Sequence, residues 1–190
     1  MTDRPILFSA PMVCALLAGR KTQTRSVLRK QDWPAAIVAL YPSQKADVPY
    51  ATGDRLWVRE ALKLDESDHL IFAADGANVP TGDIPVGFSV NRRSAPGMFM
   101  PRWASRLTLV VTDVRVQRVQ DIAKADVVAE GITGRDGSPL DDVHAGWHEP
   151  FAHLWDSINA KRGYGWDANP WVVAITFTVH KTNIDAMEAA

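Results

Sequence analysis

The hydrophobic positions change period several times along the chain, and each change marks an element. Pro5 to Phe8 is a short apolar run that reads as a strand. Ser9 stands where a helix is capped, and Pro11 suits its first turn, where a missing N–H costs nothing. Val13, Leu16 and Leu17 recur at helical spacing until Gly19 stops the helix, so Arg20 to Arg25 is expected as an exposed loop leading into a strand. Asp32 to Pro49 is weakly patterned, with one turn of helix predicted around Ala35 to Leu40. Gly53 and Asp54 make a turn. Behind it Arg55 to Glu60 has a period of two, with Leu56 and Val58 on one face and Arg55, Trp57 and Arg59 on the other.

His69 to Ala73 predicts another short strand. Ala74 to Gly97, rich in Gly, Pro, Asp and Asn, predicts a long loop with a short strand at Val86 to Val90. Ser105 to Val119 carries the strongest strand pattern, but its phase shifts: Leu107, Leu109 and Val111 share one parity, Val114 and Val116 the other. A bulge near Thr112, bending one long strand, explains the shift. Asp121 is placed to cap a helix over Ile122 to Glu130, ended by Gly131, and Gly134 to Gly146 reads as a loop. Pro150 to Lys161 is amphipathic, with Phe151, Leu154, Trp155 and Ile158 as its apolar stripe. Trp171 to Val179 is a closing strand, and residues 181–190 read as a frayed tail. Strands mixed with about three flanking helices predict an α+β fold built on a small curved β-barrel, in one domain over residues 1–180.

Composition narrows the function classes. Hydrophobic residues at 46% and charged residues at 23% give a globular balance. With a net charge of -1, any grip on nucleic acid must come from a local patch. Arg20 to Lys30 is such a patch, with five basic residues and no acidic one. Cys14, the single cysteine, excludes an intramolecular disulfide and a cysteine-clustered metal site, and fits a buried small residue in the first helix. The beginning of the chain lacks the pattern of a signal peptide, and no apolar stretch reaches the roughly 20 residues of a membrane span, so the expected location is cytoplasmic.

Several segments carry a family likeness. Gly19-Arg20-Lys21-Thr22-Gln23-Thr24-Arg25 resembles the signature of the ASCH family, of the PUA-like superfamily. The stretches from Gly53 to Glu60, from Met100 to Arg106 and from Arg162 to Trp171 extend the resemblance to longer phage and prophage ASCH proteins over nearly the whole chain. The first motif also resembles the small bacterial N4-acetylcytidine amidohydrolases. That resemblance implies a PUA-like barrel and three catalytic residues: a lysine, a threonine three residues on, and a glutamate after the long strand. Lys21, Thr24 and Glu130 stand at the matching places.

Amide hydrolysis needs an activated nucleophile, a base for its proton and an acid for the departing amine. Thr24 can supply a hydroxyl or position a water. Lys21 can serve as base where the charges of Arg20 and Arg25, and burial, favour its neutral form. Glu130 can return the proton to the exocyclic nitrogen, and its place in the last turn of a helix runs against the macrodipole, as functional residues often do. One departure stands out: an arginine is expected two positions beyond the threonine, and this chain has Ser26.

Among seven tryptophans, Trp155 and Trp171 lie in core patterns. Trp57 and Trp103, beside Arg59 and Arg102, are candidates for stacking on a base, with Arg20 and Arg25 completing the substrate-binding set. His144 and His148 have the four-residue spacing of a zinc pair, but Gly146 and Pro150 make the segment a loop, and neither a metal nor another cofactor is expected. The sequence thus predicts a metal-independent amidohydrolase acting on N4-acylated pyrimidine nucleosides. The alternative is an RNA-binding module or ribonuclease that uses the Arg20 to Lys30 stripe on single-stranded RNA. No obligatory protein partner is evident.

Overall fold

The computed structural model describes residues 2–32, 48–80, 93–133 and 146–187. Among them are eight strands in two sheets and three helices, a mixed α+β architecture. The strands are β1 (Asp3–Leu7), β2 (Gln23–Val27), β3 (Arg55–Arg59), β4 (Leu62–Leu64), β5 (Leu70–Phe72), β6 (Ser94–Ala95), β7 (Thr108–Arg118) and β8 (Trp171–His180). The helices are α1 (Ala10–Leu17), α2 (Lys124–Ala129) and α3 (Glu149–Asn159). The strands expected at Pro5, Arg55, His69, Ser105 and Trp171 are all present, whereas β4 and β6, three and two residues long, have no readable period. The helix turn expected at Ala35 to Leu40 and the strand at Val86 to Val90 lie outside the described residues.

The larger sheet has the order β1-β3-β7-β8-β2 and the smaller the order β5-β4-β6. β1 runs parallel to β3, β3 antiparallel to β7, and β2 antiparallel to β8. The α+β class is as expected, but among the described residues β1 and β2 end the order without pairing, so the sheet is not closed. Pro5 in β1 lacks a backbone donor, which suits a strand at an edge. At the other edge, Lys21 forms a bridge with Glu130 and the Thr22 N–H donates to the Ala129 carbonyl at 2.8 Å, so the approach to β2 is covered by residues following α2. β7 is one continuous strand, and the successive exposure of Thr112 and Asp113 falls where its alternation changes phase.

The segment read as one domain contains two compact units. The first comprises residues 1–19, 53–110 and 178–190. Its core joins Leu62, Leu70, Phe72, Val79, Ala95, Met100 and Ala104, with Trp103 packed against it. Gly97 is required there, since a Cβ would sit 2.7 Å from Leu7 Cδ1 and 3.0 Å from the Glu60 carbonyl carbon. Glu60 is buried and held by the Arg106 fork, Nε to Oε1 at 2.8 Å and Nη2 to Oε2 at 2.9 Å, while Arg106 also reaches Asp75 at 2.8 Å and lies 3.8 Å from the Phe72 ring centroid. Residues 181–187 are not a frayed tail. Ile184 is buried, and the Asn183 amide donates to the carbonyls of Arg102, Trp103 and Ser105 at 2.9, 3.1 and 2.7 Å.

The second unit comprises residues 20–52 and 111–177. Its core of Val119, Ile122, Val127, Phe151, Trp155 and Val172 is flanked by Val27, Ile132, Trp147 and Trp166. α2 is shorter than expected: it begins after Ala123 and leaves Glu130 just beyond its end. α3 buries Phe151, Trp155 and Asn159, a stripe rotated away from the expected one, so that Ile158 is exposed and Leu154 half-buried. Asn159 is drawn inward because its amide donates to the Trp155 carbonyl and its own carbonyl accepts from the Tyr164 N–H. Gly163, at φ +82°, then reverses the chain.

Candidate functional site

Three of the residues singled out by sequence meet in the second unit. Lys21 is fully buried, and each of its three ammonium protons has an acceptor. Nζ donates to the Gln23 carbonyl at 2.9 Å, the Glu130 carbonyl at 3.0 Å and Glu130 Oε2 at 2.7 Å. The local chain makes this possible: the Lys21–Glu130 bridge brings the two backbones side by side, and the Glu130 N–H, bonded to the Asp126 carbonyl at 2.8 Å, fixes the glutamate against the last turn of α2. Arg25 supplies the second cation. Its Nη1 donates to Glu130 Oε1 at 3.0 Å and to Gln23 Oε1 at 2.6 Å, and its Nη2 donates to Asp126 Oδ2 at 2.8 Å.

The array continues outward through Arg115, whose Nη2 donates to Asp126 Oδ1 at 3.0 Å. Burial works to raise the Asp126 carboxyl, but the Arg115 hydrogen bond and the charges of Arg25 and Arg115 outweigh it and hold the group below its ordinary value. Gln23 is itself tied to β8 through Nε2 and the Thr176 hydroxyl at 3.1 Å. The result is a chain of alternating charge that runs from a partly exposed Arg115 inward to a buried lysine and glutamate.

The remaining sequence candidates lie elsewhere. Thr24 is buried in β2, where it pairs with Ile175, and strand alternation turns its side chain to the face opposite Gln23 and Arg25. Ser26 shares the Thr24 face, so Arg25 does not replace the arginine expected at that position. Arg20 is exposed and reaches the Gly131 carbonyl at 3.2 Å. Trp57, Arg59, Arg102 and Trp103 all belong to the first unit. There Trp57 is buried under the Arg59 guanidinium, 4.9 Å from its ring centroid, because β3 is covered on both faces. Arg102 is engaged by Asp3 at 2.7 Å and by Asp185 at 2.6 Å.

Sequence reasoning passed over Gln23, Asp126 and Arg115. Asp126 and Glu130 are four apart, which puts two carboxylates on one helical face, and Gln23 and Arg25 are two apart on a strand. Those spacings were the available signal. Among the described residues no group of three or more His, Cys, Asp or Glu is arranged to hold a metal ion, and no helix is long and apolar enough to cross a membrane. His148 stacks on Trp166 with ring centroids 5.8 Å apart; His144 lies outside the described residues.

The chain is similar to an ASCH domain. That solved structure, from Lactobacillus crispatus JV V101, shares 15% identity and a TM-score of 0.45, covering 94% of this chain and 79% of the other. A protein of Enterococcus faecalis V583 with the family designation DUF984 shares 14% identity and a TM-score of 0.44, covering 100% of this chain and 86% of the other. No family model and no curated protein matches the chain. At these identities and TM-scores neither likeness bears on what the chain binds or catalyses.

Proposed function

We propose that the second unit hydrolyses the amide on the exocyclic N4 of a cytidine-type nucleoside, with N4-acetylcytidine as the prototype, and that Lys21 and Glu130 move its protons. The motif resemblance around Lys21 supplies the substrate class. The observation that carries the chemistry is the 2.7 Å contact between Lys21 Nζ and Glu130 Oε2, in a pair whose side chains are only 1% and 6% exposed. In water such a pair is worth little; shielded from water, a proton crossing it is a large electrostatic event.

Passing one proton across this bond leaves a neutral amine and a carboxylic acid. The amine takes a proton from the attacking hydroxyl as its oxygen bonds to the acyl carbon. Glu130 then donates its proton to N4 as the C–N bond breaks, releasing the carboxylic acid and the free nucleoside and restoring the ammonium–carboxylate pair. Thr24 is turned to the other face of β2, away from the Arg25–Glu130 contact, which leaves a water as the attacking group.

The basic stripe offers less to RNA than its sequence promised. Two of its five cations, Lys21 and Arg25, have buried side chains committed to carboxylates, which leaves Arg20, Arg29 and Lys30 exposed for phosphates. The deciding experiment incubates the purified protein, with chelator, with N4-acetylcytidine and separately with single-stranded RNA. Release of cytidine and acetate, lost in Glu130→Gln, is expected. No deacylation, together with RNA binding or cleavage that falls steeply with salt, would replace this reading with the nucleic-acid one.

A further inference from the structure

Arg25 sits beside the Lys21–Glu130 pair, where a substrate-binding cation would be expected, but its side chain is 0% exposed. Its Nη1 is shared between Gln23 and Glu130, and its Nη2 goes to Asp126. Both Nη atoms are thus engaged, and the one donor without a hydrogen-bond partner among the described residues, Nε, is buried. The guanidinium joins two carboxylates four residues apart, fixing the distance and angle between them. Asp126 is in turn gripped from outside by Arg115, whose Nε lies 3.3 Å from Asp113 Oδ2. Glu130 therefore has one oxygen immobilised by a rigid fork and the other left to Lys21.

We propose that Asp126 is a positioning residue: through Arg25 it locks Glu130 Oε1, so that Oε2 is presented to Lys21 in the orientation proton transfer needs. This rests on the reading of Lys21 and Glu130 as an acid–base pair. Without the Asp126 charge, Arg25 keeps Glu130 and the Gln23 amide oxygen as partners, and the hold on Glu130 Oε1 loses its outer anchor. Arg25 is thereby a spacer and not a substrate contact, and the face that carries Thr24 and Ser26 has no cation supplied by β2.

The test reads the lock directly. In the full chain carrying 15N-lysine, the Lys21 ammonium signal is assigned by its absence in Lys21→Arg, and its proton exchange with water is measured. Asp126→Asn is expected to speed that exchange by about tenfold or more, the worth of one charge-assisted hydrogen bond, and Asp126→Glu to restore part of the protection. Should Asp126→Asn not fold, Arg25→Lys, which keeps the charge but cannot bridge two carboxylates, is expected to show the same acceleration. Unchanged exchange in a folded Asp126→Asn or Arg25→Lys protein overturns the lock. Turnover answers a separate question. A wild-type protein inert towards N4-acetylcytidine removes the proposed reaction while the exchange measurement still decides the lock; an active one is expected to lose kcat and keep KM in Asp126→Asn.

Discussion

Each unit contains a buried glutamate joined to arginine, and the two are built differently. Glu60 gives both oxygens to the fork of Arg106, whose plane also lies on the Phe72 ring. Glu130 divides its oxygens between Arg25 and Lys21. An arginine keeps its proton at any ordinary pH, so the Glu60 pair can only hold the chain together. A lysine can give its proton up, so on the proposed reading the shared carboxylate has one end held by Arg25 and one end facing a proton that can move. Similar burial thus accompanies different cation partners, and on the proposed reading it is the identity of the cation that separates a brace from a site.

The largest effect that bears on this contrast is expected at the brace. Glu60→Ala leaves Arg106 partly buried without its main partner and is expected to cost about 3–5 kcal/mol in denaturant unfolding, with turnover per folded molecule unchanged. A small cost there would show that the brace carries little of the first unit's stability. Next comes Lys21→Arg, which keeps the charge but cannot give up a proton at ordinary pH. It is expected to lower kcat on N4-acetylcytidine by about 10²-fold, nearly as much as Lys21→Ala, with a small change in KM. Retained turnover would remove Lys21 from the role of base and reduce the second pair to a brace as well.

A smaller effect concerns pH. Asp126 is held below its ordinary value of 3.8, so the folded state binds its proton less readily than the unfolded chain. Its contribution is fully present above that value and lost as pH falls through the depressed one. Melting temperatures of wild type and Asp126→Asn, followed downward from pH 5, are expected to converge below 3.8; parallel curves would show that the array does not stabilise the charged carboxylate. The smallest effect is expected at Ser26. Restoring an arginine there adds a cation on the Thr24 face and is expected to lower KM modestly with kcat unchanged, whereas an unaltered KM would place that face away from the substrate.

Much of the fold was legible because long elements announce themselves. β7, β8, α1 and α3 have patterns that survive any plausible packing, and β3 was found although its faces were misjudged. Trp57 was expected on a cleft because Arg55 and Arg59 flank it, but a strand covered on both faces buries either parity, and alternation cannot distinguish that case. Barrel closure was unreadable for a related reason: an edge is set by which strands meet, and Pro5 was the one local hint. The site was half legible. Lys21, Arg25 and Glu130 came from the family resemblance, while the spacings of Gln23 to Arg25 and Asp126 to Glu130 took on meaning once β2 and the end of α2 lay side by side. The four arginine and tryptophan candidates in the first unit were judged by their neighbours in sequence, and sequence proximity to arginine does not reveal that Asp3 and Asp185 already occupy Arg102.

The hydrogen bonds from Asn183 to Arg102, Trp103 and Ser105 also set an order of events during synthesis. They link residues about 80 positions apart, and the first unit draws on both the first nineteen residues and those beyond 177. At roughly 5–20 residues per second on the ribosome, β1 waits on the order of 10–40 s for the segment that seats Ile184. The second unit draws on no residue beyond 177. A released chain that lacks residues 183–187 therefore loses the seat of Ile184 and the three Asn183 hydrogen bonds from one unit only, the one that carries the brace rather than the lysine.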